Sequence, residues 1–174
     1  YRSTEMTAPA RGFTLLEIMV VLVLIGILSS FALLSVGGGP KERLAEEAQR
    51  LAALVQLHQQ EAILIGEPRG IRFSGAGYAI FRQDEKGAWQ PPAAADTLIQ
   101  HQLPDEIALG LWIEGRPAPL KNPGKQPQVV LLASGEATEF VAVFGLAEER
   151  GPGSPLHRVA GDALGRLTVG AVER

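Results

Sequence analysis

Gly12-Phe13-Thr14-Leu15-Leu16-Glu17-Ile18-Met19-Val20-Val21-Leu22-Val23-Leu24-Ile25-Gly26-Ile27-Leu28-Ser29-Ser30-Phe31-Ala32-Leu33-Leu34 is the stretch on which the reading of this chain turns. From Ile18 to Leu34 no residue is charged, and the apolar run extends over Phe13–Val36, twenty-four residues. As a helix rising about 1.5 Å per residue, such a run is roughly 36 Å long. That crosses a hydrocarbon core of about 30 Å. Buried helices of soluble proteins are shorter and show a polar face, so the expectation is a membrane-spanning helix over residues 13–36.

The flanks decide its kind. A secretory signal peptide has a positive n-region, a shorter apolar stretch and a small-residue cleavage site after it. Arg11 supplies the charge, but no A-x-A site follows; Ser29, Ser30 and Ala32 are weak substitutes. Glu17 stands instead at the start of the apolar run. A carboxylate costs about 2.5–3.5 kcal/mol toward the bilayer centre and less near the interface. By itself it reads as a first-turn acid favoured by the helix dipole.

Taken together, Gly12-Phe13-Thr14-Leu15-Leu16-Glu17 and the apolar helix directly after it resemble the type IV prepilin signature of pilins and type II secretion pseudopilins. The resemblance implies cleavage between Gly12 and Phe13 by a prepilin peptidase on the cytoplasmic side, then N-methylation of Phe13. It also implies that Glu17, fifth in the mature chain, pairs with a neighbouring subunit's terminal amine and sets assembly register. A carboxylate in lipid gains from such a cation. Residues 1–12 are then a leader; residue 1 is Tyr, and Met6 makes a plausible native start.

Beyond the apolar run, Gly37-Gly38-Gly39-Pro40 disfavours helix and reads as a hinge over 37–40. It matches neither glycine-rich phosphate loop. Leu44, Ala48, Leu51, Val55, His58, Ala62 and Ile65 then recur at steps of four and three, one face of an amphipathic helix over 41–65. Glu42, Glu46, Glu47, Arg50, Gln56, Gln59 and Glu61 fall on the other face, with Glu46 and Arg50 spaced for an ion pair. Gly66 suits a C-terminal cap and Pro68 forbids continuation. Within the stripe, His58 reads as a packed core residue.

The pattern then changes to short strands over 70–174. Gly70–Phe73 and Tyr78–Arg82 flank a hairpin turn at Ser74–Gly77. Ile107–Ile113 alternates. Val129–Leu132 and Glu139–Phe144 bracket a second hairpin at Ala133–Glu136. Leu156–Ala160 and Arg166–Val172 flank a third at Gly161–Gly165. Gln90–Ala95 and Arg116–Gln128 are loose, rich in Pro, Ala and Gly. One helix followed only by strands implies an α+β domain, a long N-terminal helix packed on an antiparallel β-sheet.

Reaction chemistry finds no footing. The 174 residues include no cysteine, which excludes disulfides, thiolate zinc sites and a cysteine nucleophile. His58, His101 and His157 lie far apart without a second ligand type at metal spacing. Ser134-Gly135 lacks the rest of a nucleophile elbow. Glu148, Glu149 and Asp162 flank a Gly/Pro-rich loop without the rhythm of a calcium site. No metal, no cofactor and no enzyme activity is expected. Net charge is −3, so no general positive field gathers phosphates, and no nucleic-acid partner is expected. Arg158, Arg166 and Arg174 make at most a small basic patch.

With the domain pattern in view, the resemblance sharpens to the H-type minor pseudopilins of type II secretion. It rests on Leu44–Leu51, Gly70-Ile71-Arg72-Phe73, the Tyr78 strand, and Leu131–Glu136 followed by Glu139-Phe140. The resemblance implies a pilin-like domain over 41–174 in the periplasm, carried by a single pass through the bacterial inner membrane. Its implied partners are other minor pseudopilins of the tip complex, the major pseudopilin and the prepilin peptidase. Its implied role is a scarce structural subunit near the pseudopilus tip, supporting export of folded proteins across the outer membrane. Minor type IV pilins of the T type, acting in pilus assembly or DNA uptake, share the architecture and are the second reading. A bitopic membrane protein that binds a periplasmic ligand is a third.

Overall fold

A computed structural model describes residues 15–35, 39–92, 99–149 and 151–172, with the side chains of 31–35 outside the description. The chain divides into two units, residues 1–38 and 39–174. The long N-terminal helix of the sequence reading is thus described as two helices, one in each unit.

The first unit holds helix α1, Leu15–Ser35. Its residues are apolar on every face, and its side chains from Leu15 to Leu28 stand open within the unit. Ser30 folds its hydroxyl back onto the Gly26 carbonyl at 2.8 Å, the usual way a helix hides a hydroxyl without an outside partner. Among the described residues, no helix is long and apolar enough to cross a membrane. The expected span Phe13–Val36 has both ends outside the described residues.

The second unit opens on α2, Pro40–Ile65. Pro40, expected in the hinge, is the first helical residue; a ring that fixes φ suits that position, where no intrahelical N–H bond is needed. The Gly39 carbonyl accepts from the amides of Glu42 and Arg43 at 3.0 and 3.3 Å. At the other end Gly66 takes the left-handed conformation, φ 77°, and returns its N–H to the Ala62 carbonyl at 2.9 Å, as the glycine-capped stop requires. Leu44, Ala48, Leu51, Val55, His58 and Ala62 are buried as the spacing predicts, whereas Ile65 is exposed. Glu47 and Gln59, expected in solvent, are buried too. Arg50 turns to Glu47, at 3.9 Å, rather than to Glu46.

The strands are β1 Arg69–Ser74, β2 Gly77–Gln83, β3 Trp89–Gln90, β4 Gln100–Gln102, β5 Ile107–Ile113, β6 Arg116–Pro117, β7 Val129–Leu131, β8 Phe140–Leu146, β9 Leu156–Gly161 and β10 Leu167–Ala171. They form two antiparallel five-stranded sheets where one was expected. The first runs β3-β2-β1-β7, with β4 also on β2; the second runs β10-β9-β8-β5-β6. The first and third expected hairpins are present as β1–β2 and β9–β10. The hairpin expected around Ala133–Glu136 is a corner between sheets. Leu132 N–H bonds the Glu136 carbonyl at 2.8 Å and Thr138 pairs with Val130, but β7 lies on β1 while β8 lies between β5 and β9. The switch carries Phe140 into the core, its ring 6.2 Å from that of Phe73. Three strands of two or three residues, β3, β4 and β6, went unread, two of them in or touching the stretches taken as loose.

The core combines Leu44, Leu51 and Val55 of α2 with Ile71, Phe73 and Ile80 of the first sheet and Leu111, Phe144 and Val159 of the second. Each such side chain contributes about 1.5–3 kcal/mol on burial. Loop residues finish the first sheet. The Gln128 side chain accepts from Phe73 N–H and donates to Phe73 C=O, both at 2.9 Å. Arg72 lies 4.6 Å over the Phe81 ring on the face away from the core.

Candidate functional site

Gly12 and Phe13, the expected cleavage and methylation positions, lie outside the described residues. Glu17 is in the first turn of α1, where the open amides of a helix N-terminus favour a carboxylate. It is the one acidic residue of a helix whose other side chains are apolar, hydroxyl-bearing or glycine. The described side chains of α1, from Leu15 to Ser30, are all exposed.

In the second unit the polar side chains that escaped the sequence reading are ties between α2 and the sheets. Glu47 Oε2 meets His101 Nε2 of β4 at 2.7 Å, and the His101 ring packs 5.2 Å from that of Tyr78. Burial and the Glu47 carboxylate push the Tyr78 phenol far above its usual range; its hydroxyl has no hydrogen-bond partner. His58, in the core as expected, sets Nδ1 2.8 Å from Glu61 Oε2. Glu61 also faces Arg69, buried at the start of β1, at 3.6 Å and Arg82 at 3.7 Å. Desolvation works against its charge, but the His58 hydrogen bond and the Arg69 guanidinium outweigh it and hold the carboxyl below its ordinary value. These ties fix α2 on both sides of its apolar stripe. No sequence signal pairs Glu47 with a histidine 54 residues away.

The residues weighed for chemistry do not converge. His58 and His101 serve separate carboxylates, and among the described residues no group of three His, Cys, Asp or Glu could hold a metal. Ser134 donates to Glu136 in an exposed turn. Asp162 accepts from the amides of Leu164 and Arg166 and from the Arg166 guanidinium. That set, the Arg166 amide foremost, lowers its carboxyl and fills its oxygens with local donors. Arg166 is thereby tied to an acid, Arg158 stands exposed on β9, and Arg174 lies outside the described residues.

The far end of α2 is the other notable surface. Gln59 donates to the Gly135 carbonyl at 2.6 Å, joining the helix to the corner between sheets. Gly165 sits against the same pair with φ 74°; a Cβ there would stand 1.8 Å from Gln59 Nε2 and 2.6 Å from Gly135 O. Ala137 N–H bonds the Ala163 carbonyl at 3.1 Å. The helix end, the turn at 132–136 and the turn at 162–165 therefore meet. Around this junction Ile63, Leu64, Ile65, Leu132 and Leu164 are exposed.

Comparisons with known proteins agree with one another. The prokaryotic N-terminal methylation motif matches residues 8–33, and the family model of type II transport protein GspH matches residues 47–165. The chain is 37% identical over 153 residues to Type II secretion system protein H of Pseudomonas aeruginosa, covering 82% of this chain and 86% of that one. It is 35% identical over 151 residues to Type II secretion system protein H of Escherichia coli K12, covering 84% and 85%. Among solved structures, the minor pseudopilin EpsH from the type II secretion system of Vibrio cholerae superposes with a TM-score of 0.65 at 22% identity, over 78% of this chain and 99% of that one; this likeness shows the fold. The solution structure of E. coli GspH gives 0.58 at 27% identity, over 75% and 89%.

Proposed function

The chain belongs to the type II transport protein GspH family, and on that premise we propose that it is a minor pseudopilin of a type II secretion system. The observation that carries the reading is the order of parts: a methylation motif, a helix apolar on all faces, then the GspH-type unit of helix and two sheets. In this reading residues 1–12 are removed by a prepilin peptidase after Gly12, and Phe13 becomes the methylated N-terminus. Residues 13–36 hold the subunit in the inner membrane and later pack among other such helices. Residues 37–40 link this segment to a periplasmic domain over 41–174. The subunit is a scarce structural part near the pseudopilus tip, among other minor pseudopilins and above the major one.

The mechanism is mechanical and needs no reaction. An all-apolar α1 passes from lipid to a helical bundle at little cost, since both are equally dry. Glu17 is the exception and selects where the helix stops: its carboxylate is best placed where a neighbour's terminal amine neutralises it. Family membership favours secretion over the pilus reading. A clean deletion scored for exoprotein release, twitching and DNA uptake tests this. Secreted proteins held in the periplasm with motility and uptake intact are expected; normal secretion with lost motility overturns it. Glu17→Ala is expected to leave membrane insertion intact and remove incorporation. A bulky replacement of Gly12 that changes nothing would instead favour the membrane-anchored binding protein.

A further inference from the structure

We infer that the free edge of β10 takes up an extended strand of another polypeptide, uncharged along its length and acidic where it begins beside Lys41. The inference goes beyond the filament reading and does not depend on it. In the β9–β10 ladder Val172 N–H bonds the Leu156 carbonyl at 2.9 Å, and Asp162 N–H bonds the Arg166 carbonyl at 3.1 Å. Antiparallel pairs alternate between bonded and unbonded, so Thr168 and Gly170 also turn their backbone groups toward β9. Leu167, Val169 and Ala171 turn theirs away from it, and among the described residues no backbone or side-chain group bonds them.

The other edges are closed or short. The outer side of β7 meets Thr138 and the Leu131–Ala137 bridge. Strands β3 and β6 have two residues each, β6 ending in Pro117, and β4 has three. By contrast β10 has five, Leu-Thr-Val-Gly-Ala, without proline or charge. Its register on β9 runs unbroken, so no bulge turns it aside, and Val169 is 42% exposed. The usual guards of an edge are missing from it. Such an edge is a template for strand addition, in which main-chain bonds supply the affinity for an extended chain.

The two ends of the edge select the occupant. At one end Ala171 and Val172 share a cavity of about 470 Å³ with Lys41, Ser154, Pro155 and His157, and no acid lines it. Lys41 has no ion pair among the described residues, and the buried Nδ1 of His157 has no hydrogen-bond partner. A carboxylate there gives the ammonium a counter-charge and the imidazole an acceptor. At the other end Arg166 is already met by Asp162 at 2.7 Å, so no charge is called for. Antiparallel pairing is the more stable kind, which places the acidic residue at the N-terminal end of the added strand. A second copy does not fit: its own β10, laid antiparallel, has no acid from Leu167 to Val172 and brings Arg166 to the lysine.

The probe is the peptide acetyl-Glu-Val-Thr-Val-Thr-Val-amide, added to the full chain in detergent and read by amide hydrogen exchange at single residues. With peptide at about ten times its Kd, exchange at Leu167, Val169 and Ala171 is expected to slow about tenfold. Thr168 and Gly170, already bonded to β9, are expected to change less. Val169→Pro removes only an outward N–H, so an unchanged melting curve is expected together with lost peptide protection at Leu167 and Ala171. Lys41→Glu, at an exposed position, is expected to keep the fold, weaken this peptide and favour one headed by lysine; it carries the test if the proline variant fails to fold. No slowing at the three amides up to the solubility limit of the peptide overturns the inference. So does slowing that persists in folded Val169→Pro, or equal slowing by the lysine-headed peptide. Protection present without peptide and lost on dilution gives the edge to a second copy and overturns it as well. Exoprotein release in the deletion strain, which decides the pseudopilin reading, bears on none of these outcomes.

Discussion

Helices α1 and α2 are built from similar numbers of residues and obey opposite rules. In α2 a substitution is judged by which face it lands on, because one face meets two sheets and the other meets water. In α1 every face reads alike, and its described side chains, from Leu15 to Ser30, are all exposed. The sequence of α2 is therefore a record of how one chain folds. That of α1 carries no such face, and its single carboxylate, Glu17, stands in the first turn.

The sharpest way to break this contrast is the same substitution in both helices. Leu51→Ala, at a fully buried position, should cost about 2–5 kcal/mol as it leaves a cavity between α2 and the sheets. Thermal or denaturant unfolding of the full chain in detergent reads it directly. Gly165→Ala comes next, at about 2–3 kcal/mol, because a left-handed backbone and a Cβ pressed on Gln59 and Gly135 must both give way. Glu61→Gln should cost about 1 kcal/mol at neutral pH, the upper end for an ion pair open to water. Since the folded carboxyl titrates below its ordinary 4.5, its stabilisation is present above that value and is lost as pH falls through the lower, folded value. The variant's acid limb should accordingly be flatter between those two points; an unchanged acid limb would remove Glu61 from the ties that hold α2. Smallest of all, Leu22→Ala in α1 should leave the unfolding of the second unit within about 0.5 kcal/mol. A larger shift would mean that α1 is part of the folded core after all.

The same contrast explains what could be read from the residues alone. The stripe from Leu44 to Ala62 was legible because apolar spacing is a local signal, and so were β1, β2, β5, β9 and β10, each five or more residues long. Glu47 and Gln59 were misplaced because a polar residue reads as solvent-facing unless its partner is known, and those partners, His101 and the Gly135 carbonyl, come from distant turns. The unread β3, β4 and β6, of two or three residues, have no period to detect. The single sheet became two because Phe140 leaves the hairpin to enter the core, a choice made by packing rather than by the turn at Ala133–Glu136. The N-terminal methylation motif lay in plain sight, since it is a run of adjacent residues. The far-end patch did not, because its leucines come from three separate segments.

Gln128 holds a further consequence. By bonding both the N–H and the C=O of Phe73, its amide stands where the backbone of another strand would lie; on β7 the Thr138 hydroxyl accepts from Val130 N–H and the Thr138 N–H donates to Val130 C=O. The outer side of β7 is thus closed by the backbone and hydroxyl of Thr138 and by the Leu131–Ala137 bridge, and offers no template there for further strand growth. Copies of the chain brought together are denied, at this edge, the route to cross-β aggregates that an open edge invites.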